Sequence, residues 1–248
     1  MPDINGGVGR RLGSCDDIGD ERFAGTNPIV LQALNDLSST WWMLEYLYNS
    51  PNTCADIRGQ IRQAQADTLA LANTVREIGD NMTVTKFNHF FGSTGSHFNA
   101  TQHVLYASNP NAGIIVIELA GAAYMMFRGY ADRDGTISNA RLHAYWVATS
   151  VIETGDPGFA KMFTDAHEFG NPLNFYPDSN AQTHWVPMYQ YTFMDLHNNG
   201  VGFDIGVAEL ERRSNRTFLS NLWERIWEDS AALRAVISSD DLKYIRTP

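Results

Sequence analysis

Apolar residues recur along most of this chain with a helical period. Val30, Leu31, Leu34, Leu37, Trp41, Trp42, Leu44, Tyr46 and Leu47 form a broad stripe at helical spacing, which predicts a helix whose aromatic cluster belongs to the core. Asn27-Pro28 opens it with a capping side chain and a proline at the first helical position. Asn49-Ser50-Pro51 closes it, because the residue before a proline avoids helical backbone. A second stripe of Ile57, Ile61, Ala64, Leu69, Leu71, Val75 and Ile78 predicts a helix over about residues 53–78, with Gly79 as its carboxyl cap. The two elements predict an antiparallel helical hairpin.

The signal weakens over residues 80–95. MTVTKFNHFF alternates in polarity and predicts a short extended piece at about 83–91. A helical pattern resumes over 97–108. His89, His97 and His103 fall in this region, and surface or core histidines are the favoured reading over a metal trio. After Asn109-Pro110, the run from Ile114 to Phe127 is apolar almost all round. That predicts a central, buried helix, too long for one strand and, with Glu118 inside and Arg128 after it, short for a membrane span.

The stretch DRDGTIS at 132–138 looks like a calcium loop but fails as one. With Gly135 at the sixth position, Tyr130 and Arg141 fall where the first and twelfth oxygen ligands belong. It predicts a turn that caps a helix starting near Ser138. Asn139 and His143 stand four residues apart and share a face of that helix. Gly155-Asp156-Pro157 ends it and caps the next, which finishes in His167-Glu168. The zincin pattern fails, because Asn171 stands where a second histidine is required. Residues 171–187 predict a long aromatic loop. Its Phe175, Tyr176, His184 and Trp185 either meet a substrate or pin the loop. From Met188 to about Ile205 a helix carries Asp195, Asn198 and Asn199. Amphipathic helices over 207–238 follow.

These elements add up to a mainly α fold: a compact helical domain with an amino-terminal helical hairpin and a long aromatic loop. Residues 1–27 are an irregular arm, residues 28–248 a single helical domain with no dividing linker, and 132–206 the motif region. The composition, 44% hydrophobic and 19% charged, is that of a folded globular chain. A net charge of −10 disfavours nucleic acid or an anionic membrane as main partner. Cys15 and Cys54 form no C-x-x-C or zinc spacing; unpaired thiols are the favoured reading, with a disulfide tying the tail to the first helical pair as the alternative in an oxidising compartment. The start MPDINGGVGRRLG has no apolar h-region and no G-K-[ST] ending. It predicts neither a secretory signal peptide nor a phosphate loop. The expectation is a cytoplasmic chain as made, with any export through a specialised secretion system.

Three polar clusters interrupt the apolar faces, and such groups are costly to bury unless bonded or ion-paired. His143, His167, Glu168 and Asp195 are the candidate catalytic residues, since histidine titrates near neutrality and a carboxylate orients it or binds metal. Asn139, Asn198, Asn199, Arg141 and Trp185 are the candidate substrate-binding residues. His143, His167 and Asp195 are the metal candidates, and a divalent ion with an open position is the cofactor that set suits. No G-x-S-x-G elbow and no catalytic cysteine pairing is present. The chemistry expected is hydrolysis of a phosphoester, lipid or cell-wall bond. Two readings compete with it: a buried polar network that only pins three helices in register, and a binding or membrane-active module, against which the acidic charge argues.

The blocks N-A-x-x-H-A-Y-W, F-x-x-A-H-E and M-D-L-x-N-N-x-x-G, carried by Asn139–Trp146, Phe163–Glu168 and Met194–Gly202, together resemble a bacterial domain of unknown function. That domain typically sits at the carboxyl end of secreted polymorphic-toxin and wall-associated proteins. The likeness covers about residues 132–206, under a third of the chain. The family usually has arginine directly before the first histidine, where this chain has Leu142, with Arg141 one place earlier. The segment 170–191 is also longer than the family pattern. The resemblance implies a mostly helical domain, a toxin or effector role, and an immunity protein or secretion carrier as partner.

Overall fold

The computed structural model describes residues 27–51, 53, 55–81, 98–131, 135–177, 186–214 and 233–244. Its elements are α1 (Pro28–Asn49), α2 (Ala55–Asn81), α3 (Ala100–Ser108), α4 (Pro110–Ala131), α5 (Ile137–Thr154), α6 (Pro157–Phe169), a 3-10 turn (Pro172–Phe175) and α7 (Met188–Ser214). A short helical stretch follows at 233–238. The fold is mainly α, as the periodicity predicts, and no strand occurs among the described residues. The arm at 1–26, the extended piece expected at 83–91, and Cys15, Cys54, His89, His97, His184 and Trp185 lie outside those residues.

Two compact units divide the chain, the first within residues 1–109 and 169–179, the second within 110–168 and 180–248. The chain passes between them at 109–110, at 168–169 and at 179–180. The sequence pattern predicts one domain from residue 28.

In the first unit, α1 and α2 pack on each other as the expected hairpin. Asn27 caps α1 by accepting a hydrogen bond from the Ile29 N–H at 3.0 Å, with Pro28 inside the first turn. Ala33, Leu34, Leu37 and Leu44 of α1 and Ile61, Ala72 and Val75 of α2 are fully buried. Gly79 does not cap α2, which runs on to Asn81. A Cβ there would lie 2.6 Å from Val30 Cγ1, so the glycine lets the two helices close. Of the aromatic cluster assigned to the core, Trp42 and Tyr46 are exposed. Arg62 lies over the Tyr48 ring at 3.6 Å and donates to Glu45 at 2.9 Å, tying α2 to α1. The start of the aromatic loop is anchored here. Phe175 is fully buried and stacks on Phe169, ring centroids 6.0 Å apart, and Thr40 Oγ1 donates to the Phe169 carbonyl at 2.8 Å.

In the second unit, α5 packs against α4 and, most extensively, against α7. Thr136 caps α5 by accepting from the Asn139 N–H at 3.2 Å. Gly155 ends it with φ 64°, a left-handed conformation that glycine adopts without strain. Asp156 then accepts from the Phe159 N–H at 3.0 Å and caps α6. α7 extends past the expected end near Ile205 to Ser214. Its apolar side continues through Phe203, Val207 and Leu210, which pack on a core of Val147, Val151 and Ala160.

The expectation that α4 is central and buried is corrected. Only 22% of Pro110–Phe127 is buried, and Ile114, Tyr124, Met125 and Met126 are exposed. By length and composition this helix is apolar enough to cross a membrane. The small side chains Ala112, Val116 and Ala123 form its buried side. Trp146 fastens it by donating its indole N–H to the Val116 carbonyl at 2.8 Å.

Candidate functional site

Three helices of the second unit each deliver one side chain to the same place. α5 supplies His143, α6 supplies Glu168 and α7 supplies Asp195, all buried. One ligand-capable atom from each lies within 4.8 Å of the other two. The α5–α7 contact sets this register. A Cβ on Gly202 would run into the Ala144 carbonyl and come 2.8 Å from its Cα, and one on Gly206 would come 2.8 Å from the Ala148 carbonyl oxygen. Glycine at both positions brings the two backbones together directly beside His143.

The orientation of the His143 ring is fixed from behind. Asn199, fully buried, places Oδ1 3.2 Å from His143 Nδ1 and donates from Nδ2 to Asp165 Oδ1 at 3.2 Å. The second Asp165 oxygen pairs with Lys161. An ionised carboxylate only accepts, so the amide nitrogen must face Asp165 and the amide oxygen must face the ring. His143 Nδ1 therefore carries a proton. In the neutral imidazole, Nε2 then presents a lone pair, and it lies 3.5 Å from Asp195 Oδ1. Asn199 holds Nδ1, which leaves Nε2 as the ring atom turned toward the carboxylate.

Glu168 stands in the last turn of α6, where the helix dipole disfavours negative charge. Its neighbour His167 has more than a third of its surface open to solvent, yet protein crowds the ring densely. Desolvation, and then a positive charge on His143, lower its pKa to about 4. Trp146 meets both imidazoles edge-on, at 5.9 Å from His167 and 6.5 Å from His143.

The other sequence candidates separate. Asn139 is buried on the His143 face, one turn earlier, and its Oδ1 has no hydrogen-bond partner. Asn198 is not in the cluster: its Nδ2 donates to the Lys243 carbonyl and its Oδ1 accepts from the Lys243 N–H, both at 2.9 Å. Arg141 donates to the Ile237 carbonyl at 3.3 Å. With His197, which donates to the Asp241 carbonyl at 2.7 Å, these two hold the segment 237–243. Asp165, Lys161 and Trp146 belong to the site and were not singled out by the sequence pattern. The i,i+4 spacing of Lys161 and Asp165 was the available signal.

A family model described as a domain of unknown function (DUF6973) matches residues 93–229, more than half of the 248-residue chain and inclusive of all three site helices. No curated protein matches the chain. No solved structure matches it.

Proposed function

The chain belongs to the family of the domain of unknown function DUF6973, and for it we propose a hydrolase of the bacterial toxin or effector type, acting at His143, Glu168 and Asp195. The convergence of these three side chains from three helices within 4.8 Å carries the reading. In the reaction, a carboxylate of the cluster takes a proton from water as its oxygen attacks the phosphorus or carbonyl carbon of a phosphoester, lipid or cell-wall bond; the bond to the leaving oxygen or nitrogen breaks, and the carboxylic acid returns the proton to that atom. His167, next to Glu168 in the chain, is open to solvent. The three motif blocks support the toxin context, with a cognate immunity protein as partner and export through a specialised secretion system.

Asp195→Asn and Glu168→Gln test this, being nearly isosteric. Purified protein is assayed on a bis-aryl phosphate, phospholipid vesicles and peptidoglycan. Release from one of them, lost in both folded variants, is expected. No release from any of the three, or release that both variants retain, overturns the proposal.

A second reading is favoured by one observation, the exposed apolar side of α4. On it, the chain is a membrane-active module that lays Tyr124, Met125 and Met126 into a lipid surface. Flotation with uncharged vesicles, abolished by Met125→Glu, is the outcome this reading requires. No flotation of the wild type removes it.

A further inference from the structure

We propose that His143 Nε2, Glu168 and Asp195 form a binding site for one divalent transition-metal cation of the zinc or manganese type, and that Asn199, held by Asp165, fixes the histidine for it. The site does not require the hydrolytic reading, since a bound ion also serves structure or regulation.

The donor set is the first argument. Two buried carboxylates and an imidazole nitrogen share a space 4.8 Å across. Carboxylate oxygens together with imidazole are the ligand types that a first-row divalent ion takes.

Geometry is the second. Ligands about 2.1 Å from a tetrahedral ion stand roughly 3.4 Å apart. His143 Nε2 and Asp195 Oδ1 are 3.5 Å apart. A Glu168 carboxylate oxygen falls within the 4.8 Å spread of the set. Three protein ligands leave a position for water or substrate. The imidazole selects a first-row transition ion over magnesium or calcium, which prefer all-oxygen sets.

The third argument lies behind the ligands. A metal-binding histidine usually donates its other ring N–H to an oxygen that sets its tautomer. Asn199 Oδ1 takes that part at 3.2 Å, and Asp165 prevents the amide from turning over. Independently, the buried Asn139 Oδ1, one turn before His143 and lacking a hydrogen-bond partner, offers an acceptor to a metal-bound water.

The test is titration of chelator-treated full-length protein with zinc chloride and manganese chloride, by calorimetry and thermal melting. Saturable one-to-one binding of at least one ion is expected, with a melting temperature that rises with its concentration. Asp195→Asn and Glu168→Gln, checked for fold by circular dichroism, should abolish that binding. Asn199→Ala should weaken it about 10- to 100-fold at unchanged stoichiometry, the usual effect of losing an outer partner. Should the variants fail to fold, nitrogen-15 imidazole spectra of the wild type decide. The ion must perturb the Nε2 of a ring that carries its proton on Nδ1. No one-to-one binding of either ion, binding that survives both carboxylate variants, or binding without that perturbation overturns the proposal. Because binding is read without substrate, a failed hydrolase assay leaves it standing, and activity in a metal-free protein removes the ion from the reaction without touching the binding site.

Discussion

Asn199 and His143, 56 residues apart in sequence, meet through an amide oxygen and a ring nitrogen at 3.2 Å. The same amide reaches Asp165 at 3.2 Å, so one side chain on α7 links a histidine on α5 to a carboxylate on α6. Its two ends are different, and that difference sets which His143 nitrogen faces the carboxylates.

Asn199→Asp tests the polarity of this link. It sets a second carboxylate against Asp165 in a buried place and removes the donor. Loss of a buried hydrogen bond costs about 1–3 kcal/mol, more with a charge, and urea unfolding should show at least that. Adding Asp165→Asn to the same chain should restore part of it. The amide introduced at position 165 would donate to the carboxylate introduced at position 199, which still accepts from His143. A double-mutant cycle should give a favourable coupling within about 0.5–3 kcal/mol. Strictly additive losses would mean the two residues do not share the link.

Gly202 is expected to be the least replaceable glycine of α7. Gly202→Ala drives a methyl into the Ala144 backbone, which cannot yield as a side-chain tip would. Overpacking costs about 1–3 kcal/mol, and here the helices must also separate, so metal binding or activity should fall with stability. Gly200→Ala is the control. Nothing lies within 4 Å of its Cβ, and alanine favours helix by about 1 kcal/mol, so its unfolding midpoint should hold or rise. Equal losses in the two variants would refute the close-approach account.

Local chemistry was legible in the sequence wherever one or two residues decide the backbone. Asn27-Pro28, Gly155 and Asp156 cap the helices they were expected to cap. The three polar clusters were legible as misplaced hydrophilic residues on apolar faces. What spacing could not supply was which of two neighbours faces the partner. Asn198 and Asn199 both share a face with Asp195 by i,i+3 and i,i+4 counting, yet they lie about 100° apart around the helix. Asn199 reaches His143 and Asn198 reaches Lys243. Gly79 reads as a cap until Val30, 49 positions earlier, is seen against it. The exposure of α4 was illegible for a like reason, since hydrophobicity all round records composition and not the number of neighbours.

His103 makes the first unit sensitive to acid. Burial lowers its pKa, a backbone hydrogen bond at Phe98 opposing it in part. A histidine lowered in the folded state takes up its proton more readily when unfolded. Its contribution is therefore fully present above the ordinary value of 6.5 and is lost as pH falls through it toward the folded value. Denaturant midpoints at pH 7.5 and 5.5 should fall between the two for the wild type, and fall less for His103→Gln. An identical fall in both proteins would assign the acid sensitivity elsewhere.

Asn198→Ala should separate structure from chemistry. The side chain is fully buried, and both its polar atoms are taken by the Lys243 backbone. Losing two such bonds costs about 1–3 kcal/mol. It should release the segment 237–243, seen as faster amide exchange at Lys243. The His143, Glu168 and Asp195 cluster does not use this side chain, so metal affinity should stay within about twofold of wild type, where Asn199→Ala loses about 10- to 100-fold. Asn198→Asp refines the point: it keeps the acceptor for the Lys243 N–H and loses the donor to the carbonyl, so its stability should lie between alanine and wild type unless the buried charge dominates. An Asn198→Ala variant that keeps its stability but loses metal or activity would return this residue to the site, as the sequence pattern first placed it.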